Sequence, residues 1–178
     1  MTIYSFHIFD CHCNCIYDRE YSHSSTEPLN GSINKNNNSN SSQLLFGILY
    51  SLKTISSKLV DKDIDYYGSE DQAAAPLFSS ANVLKSFSFG QFRIHYFESL
   101  TQLKFIIISD NQIDNLQNVL WELYSKYYLK NVVQNTFLPV EFKIPDDGIQ
   151  TDGFDKINNS NFINETDGFI QGLPAFLS

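Results

Sequence analysis

The stretch that decides the fold is VLKSFSFGQFRIHYFESLTQLKFIIIS, residues 83–109. It contains three runs rich in aromatic and β-branched residues, which favour β-strands. Gly90 and the polar residues 99–102 separate the runs and supply the turns. The stretch therefore predicts a three-stranded antiparallel meander, with strands over residues 83–89, 91–98 and 103–109.

Two further strands are predicted at the N-terminus, over residues 2–9 and 15–21, on either side of a polar turn. Apolar residues at helical spacing predict one helix over residues 44–60 and another over about 114–133. Residues 162–176 are predicted to form a last short helix, which glycine and proline interrupt. This order of elements predicts an α+β domain with an antiparallel sheet between helices.

The segments between these elements lack the apolar pattern that packing requires. Residues 22–42 are rich in Ser and Asn, and residues 61–82 have no sustained periodicity, so both are expected to be flexible loops. Residues 140–178 are rich in Pro, Gly, Asp and Asn and are poorly patterned. The 178 residues and the 42% hydrophobic content suit a single globular domain spanning residues 1–178.

The charge of the chain disfavours two classes of partner. The formal net charge is −8, and the basic residues are scattered along the sequence. Nucleic acids and anionic lipid surfaces attract basic patches, so neither nucleic-acid binding nor direct membrane insertion is expected. The sequence shows no basic leader followed by an apolar run and no bilayer-spanning segment, which predicts a cytoplasmic protein.

The residues Cys11, His12, Cys13 and Cys15 look most like a chemical site, because thiols and imidazole are good ligands for zinc or copper. However, zinc sites usually combine two separated C-x₂-C knuckles, and no further cysteine occurs in the chain. We therefore expect a hairpin turn with reduced thiols. A small metal or thiol protein remains an alternative.

Other catalytic and ligand-binding motifs are missing from the sequence. The histidines have no nucleophile motif or matching acidic residue, and the isolated glycines form no phosphate-binding loop. Asp61, Asp63 and Asp65 are not followed by the glycine and glutamate of a calcium loop. No catalytic, cofactor-binding or metal-binding residue is predicted, and no cofactor is expected.

One surface of the first helix points to a protein partner. Its apolar arc is predicted to pack on a sheet, and consists of Leu45, Ile48, Leu49, Leu52, Ile55 and Leu59. Phe46, Tyr50 and Lys53 lie away from that arc, although isolated apolar surface residues are common. Gly47 beside them costs about 1 kcal/mol of helix propensity, and close approach by another chain would explain it. We therefore predict that Phe46, Gly47, Tyr50 and Lys53 bind a partner.

Several motifs resemble a known family. Residues 3–10 (IYSFHIFD), 12–16 (HCNCI) and 18–20 (DRE) closely resemble the N-terminal hairpin of the small longin-like core subunits of the TRAPP (transport protein particle) tethering complex. Residues 45–53 (LFGILYSLK) resemble the first helix of that family, and similarity continues through the central hairpin and the second helix. The family usually has Arg where Cys11 stands and often has Arg where Lys53 stands.

The resemblance implies a longin-like (profilin-like) fold, with five antiparallel strands, one helix on one face and two on the other. It also implies a non-catalytic subunit that pairs with a second longin-like subunit. The assembled complex would act as exchange factor for an early-secretory Rab GTPase in ER-to-Golgi transport, peripherally at ER and cis-Golgi membranes.

The alternative is the longin domain of a SNARE or of a coat adaptor. A SNARE requires a heptad coiled coil and a tail anchor after the domain, and neither follows Val133.

Overall fold

The computed structural model describes residues 2–21, 40–64, 84–139, 142 and 156–174. These residues belong to two compact units. One unit contains a five-stranded sheet and two helices, and the other contains a single long helix. The expectation that residues 1–178 form one domain stays a prediction.

The five strands form one antiparallel sheet. They are β1 (Ile3–Phe9), β2 (Cys15–Glu20), β3 (Ser86–Phe89), β4 (Phe92–Glu98) and β5 (Lys104–Asp110). Their order across the sheet is β2-β1-β5-β4-β3. The predicted N-terminal hairpin and the predicted meander are both confirmed, and the pairing of β1 with β5 joins them.

Three helices complete the described part of the chain, and they confirm the α+β class. The first is α1 (Asn40–Ile64). The second, α2 (Gln117–Glu122), continues in wider π-type turns over Leu123–Val133. The third is α3 (Ser160–Gln171), which ends at Gly172.

The predicted loop boundaries were wrong at both ends of α1. Residues 40–42 and 61–64 were expected to be loop, but they are helical. Ser, Asn and Asp cost only about 0.5 kcal/mol each in a helix relative to Ala, which is too little to end a long helix. The rest of the two predicted loops, residues 22–39 and 65–82, lies outside the described residues.

The core of the sheet unit is an aromatic layer between one face of the sheet and the helices α2 and α3. Phe105 at its centre contacts Phe6, Tyr124 and Tyr128, with ring centroids 6.3, 5.6 and 5.4 Å away. Phe162 of α3 meets Tyr128 and Tyr17 edge-on. Each such buried side chain contributes about 1.5 to 3 kcal/mol, so α2 and α3 are held mainly by apolar burial.

A polar clamp fixes α3 to the edge strand β2. Arg19 donates two hydrogen bonds to the carboxylate of Asp167, one of them from Nε at 3.1 Å. The Tyr21 hydroxyl donates to the same carboxylate at 3.2 Å. Upstream of α3, the Ile157 amide donates to the Ile16 carbonyl at 2.8 Å. Such bidentate pairs are directional, so the clamp sets the position of α3 along β2.

Buried residues lie on both faces of the central strands. Phe6 and Ile8 of β1 belong to the aromatic layer, while His7 faces the other way and is also buried. Ile106 alternates in the same manner with its neighbours in β5. Polar groups within these strands must therefore find partners inside the protein.

We expect Asp167→Asn to destabilise the protein by about 1 to 3 kcal/mol in urea denaturation, because Arg19 would lose its counter-charge in a largely buried position. Glu122→Gln is the matched control, since it breaks an exposed ion pair with Lys126. Equal decreases in the urea midpoint for the two variants would show that the clamp contributes no more to stability than an exposed ion pair.

His95 predicts a loss of stability at acidic pH. Burial, followed by the charge of Arg93, lowers the pKa of His95 to about 4, and its Nε2 lies 2.9 Å from Ser109 Oγ. Below about pH 6.5, His95 becomes protonated in the unfolded chain. In the folded chain it stays neutral down to about pH 4. Stability should therefore fall as the pH drops from 6.5 to 4, by at most about 1.4 kcal/mol per pH unit from this group.

The measurement is urea denaturation across that pH range. His95→Gln should flatten the dependence, while the exposed His12→Gln should leave it unchanged. Identical slopes in wild type and His95→Gln would refute the assignment.

Candidate partner-binding surfaces

The helix α1 has a narrow buried stripe and a large exposed apolar surface. Leu45 and Leu49 are buried, and Leu52 is half-buried. Their spacing of four and three residues aligns them along one side of the helix. An amphipathic helix with so narrow a buried stripe leaves most of its apolar side chains for other contacts.

The predicted partner-binding residues share one side of α1. Tyr50 is 63% exposed, and its ring stacks on that of the half-buried Phe46 with centroids 6.2 Å apart. Lys53 is exposed one turn further along. A Cβ added to Gly47 would meet no atom within 4 Å, so nothing in the described residues requires a glycine there. Phe46, Tyr50 and Lys53 share one side of the helix, with Gly47 at its edge, and we call these four residues the aromatic face of α1.

The predicted position of two isoleucines was wrong. Ile48 and Ile55 were expected on the buried arc, but they are 42% and 53% exposed, and Leu44 beside them is also exposed. Periodicity identifies residues that share a side of a helix, and it does not determine how much of that side is covered. A second apolar surface therefore runs along α1, on the opposite flank of the buried stripe.

The sheet unit exposes aromatic residues that sequence reasoning did not identify. Phe89, at the end of the edge strand β3, is exposed, and Phe92 meets Tyr4 edge-on at 5.2 Å. Trp121 on α2 is 56% exposed and packs edge-on against Phe97. The sequence does place Phe89 and Phe92 on either side of the Gly90 turn. Their exposure could have been predicted from that position, because residues next to turns are seldom buried.

The cysteines lie in and beside the β1–β2 turn, as expected. Cys11 and Cys13 are exposed free thiols, and Cys15 at the start of β2 is a half-buried one. The backbone amide of Asn14 donates to Asp10 Oδ1 at 2.7 Å, which closes the turn. The turn therefore presents the first two cysteines to solvent and directs the third onto the sheet.

A buried Ser-His-Asp arrangement lies on the hairpin, and no sequence motif indicated it. His7 Nε2 lies 2.9 Å from Ser5 Oγ, and His7 Nδ1 lies 3.0 Å from Asp18 Oδ1. The order matches a hydrolase relay, but all three side chains are buried. A substrate has no access to the buried Ser5, so the order of the three residues does not make Ser5 a working nucleophile.

None of the described helices combines the length and the apolarity that a bilayer span needs. The exposed apolar surfaces described above are the candidate functional features. Those surfaces are suited to contacts with other proteins.

The comparison with known families decides what kind of protein this is. The profile described as the Sybindin-like family matches residues 3–158. The chain belongs to the Sybindin-like family. The matched range includes all five strands, α1 and α2. Family membership and the five-stranded antiparallel sheet together confirm the longin-like α+β fold.

Curated relatives match this Sybindin-like chain from end to end. The trafficking protein particle complex subunit BET5 of Saccharomyces cerevisiae is 34% identical over 96% of both chains. Subunit 1 of the same particle from Dictyostelium discoideum is 26% identical over 99% of both chains. The transport protein particle subunit bet5 of Schizosaccharomyces pombe is 26% identical over 99% of this chain and all of its own. These names confirm the resemblance that the hairpin and helix motifs indicated.

Proposed function

We propose that this chain is a non-catalytic core subunit of the TRAPP vesicle-tethering complex. The observation that carries the proposal is the match to BET5 over 96% of both chains. Because the similarity covers 96% or more of these relatives, it supports the same role for the whole chain. In this role, residues 1–178 act as a single longin-like domain.

The assembled complex, and not this subunit alone, would act as exchange factor for an early-secretory Rab GTPase in ER-to-Golgi transport. The chain would contribute part of the surface on which the GTPase rests. It would work in the cytoplasm, peripherally at ER and cis-Golgi membranes, and its net charge of −8 gives it no affinity of its own for anionic lipid. No cofactor, nucleic acid or direct membrane contact is part of the proposal.

The aromatic face of α1 is proposed to bind a neighbouring subunit, with a second longin-like subunit as the leading candidate. Stacked aromatic side chains contribute large contact areas at low entropic cost and are enriched at interface centres. Tyr50 is mostly exposed, so its ring is available to a partner. Gly47 lets another backbone approach α1 beside Tyr50, because no described atom occupies the space above it.

The proposed SNARE or coat-adaptor role has no support among the relatives described above, which are all named as subunits of the trafficking protein particle. The TRAPP assignment is therefore the one that we carry forward.

The test is co-purification of the tagged full-length chain with co-expressed TRAPP subunits. The double substitution Phe46→Ala and Tyr50→Ala should weaken assembly by about 30-fold or more, which corresponds to a hot spot of about 2 kcal/mol. Its thermal midpoint should fall much less than that of a core variant, because Tyr50 is exposed and Phe46 is only half-buried.

Two control variants make the result interpretable. Phe137→Ala removes an exposed aromatic residue that is not part of α1 and should leave assembly intact. Leu49→Ala removes a side chain that is 2% exposed and should cost about 2 to 5 kcal/mol of stability. Normal assembly of a folded Phe46→Ala, Tyr50→Ala variant would show that the interface lies elsewhere.

A further inference from the structure

Three potential metal ligands converge on one face of the N-terminal hairpin. His7 of β1 and Cys15 and Asp18 of β2 each offer a ligand atom, and the three atoms lie within 4.8 Å of one another. His7 and Asp18 are buried, while Cys15 is half-buried. They lie on the face of the sheet opposite the aromatic layer, because His7 alternates with Phe6 and Ile8.

An irregularity in the strand pairing creates this convergence. His7 lies directly opposite Asp18, and Ile8 lies opposite Tyr17, but Phe9 lies opposite Cys15. Ile16 is therefore an extra residue in β2, as in a β-bulge. In a regular strand, residues three apart face opposite sides of the sheet. The bulge at Ile16 is what brings Cys15 to the same side as Asp18.

The three donors suit a zinc-type metal ion. Thiolate, imidazole and carboxylate are all established zinc ligands, at about 2.0 to 2.3 Å from the metal. Two ligand atoms of a tetrahedral site are then about 3.3 to 3.6 Å apart. In this structure, His7 Nδ1 and Asp18 Oδ1 are 3.0 Å apart, and no two of the three ligand atoms are more than 4.8 Å apart. The separation expected for a zinc site lies between these two distances. The ligand atoms therefore lie close to the spacing that a tetrahedral site requires.

The surroundings of His7 also favour a metal ligand. Among the described residues, the buried Nδ1 of His7 has no hydrogen-bond partner of acceptable geometry. On the other side of the ring, Nε2 lies 2.9 Å from Ser5 Oγ. If Nε2 carries the proton and donates to Ser5, Nδ1 has a free lone pair directed at the ligand cluster. A second hydrogen bond of this kind orients most metal-binding histidines.

Cys15 is the ligand whose proton a metal ion has to displace. Its thiol donates to the Tyr17 carbonyl at 3.3 Å. Thiolate, and not thiol, is the form that binds a metal, so binding should release this proton.

We propose that His7, Cys15 and Asp18 form a binding site for a zinc-type divalent metal ion, with water as the fourth ligand. The site differs from the cysteine cluster considered in the sequence, because Cys11 and Cys13 lie exposed in the turn and outside the set. Its role is to pin β2 to β1 at the bulge. It is independent of the proposed TRAPP function.

The test is titration of the reduced, metal-free, full-length protein with Co²⁺ and then with Zn²⁺. One Co²⁺ should bind per chain and give a sulfur-to-metal charge-transfer absorption, which Zn²⁺ should abolish by displacement. The Cys11→Ser, Cys13→Ser double variant should behave like wild type. Cys15→Ser should lose the absorption, and Ser5→Ala should keep it while weakening the affinity about 10- to 100-fold.

If Cys15→Ser fails to fold, the rate of alkylation of Cys15 tests the proposal instead. In the Cys11→Ser, Cys13→Ser variant, Cys15 is the single remaining thiol, and Zn²⁺ should slow its alkylation at least about tenfold. The proposal is overturned if no thiolate absorption appears, or if Zn²⁺ leaves alkylation unchanged. It is also overturned if binding survives Cys15→Ser and is lost in the double variant.

Discussion

The antiparallel pairing of β1 with β5 is the contact on which the rest of the structure depends. It joins the N-terminal hairpin to the meander, and it makes two strands from distant parts of the sequence the centre of the sheet. Phe6 of β1 and Phe105 of β5 lie on the same face and form the base of the aromatic layer. The helices α2 and α3 have an apolar surface to cover only once this pairing exists.

Much of this architecture could be predicted from local patterns in the sequence. Aromatic and β-branched runs identify all five strands, because the side chains of buried strands are themselves the signal. The helix α3 was harder to predict, since Gly168 and Gly172 lower its intrinsic propensity. It is held by the packing of Phe162 on Tyr17 and positioned by the bonds from Arg19 and Tyr21 to Asp167, and all of these partners are far away in the sequence.

The candidate sites show where sequence patterns fail. The aromatic face of α1 follows from helical geometry alone, whereas the exposure of Ile48 and Ile55 does not, because periodicity carries no information about what covers a helix. The cluster of His7, Cys15 and Asp18 depends on the bulge at Ile16, and a single inserted residue leaves no clear mark in the sequence. The spacing of the cysteines directed attention to the exposed turn, while the structure brings only Cys15 into a cluster.

These features support the proposal that the protein acts through its surfaces. The exposed aromatic face of α1 and the exposed Phe89 and Trp121 are available to other proteins, whereas the Ser-His-Asp arrangement is closed to substrates. The proposed role as a subunit is tested most directly by measuring nucleotide release from an early-secretory Rab GTPase. The account predicts that the isolated chain does not accelerate release, that TRAPP lacking this subunit is impaired, and that adding the chain restores activity. Acceleration by the isolated chain, or full activity of the complex without it, would contradict the account.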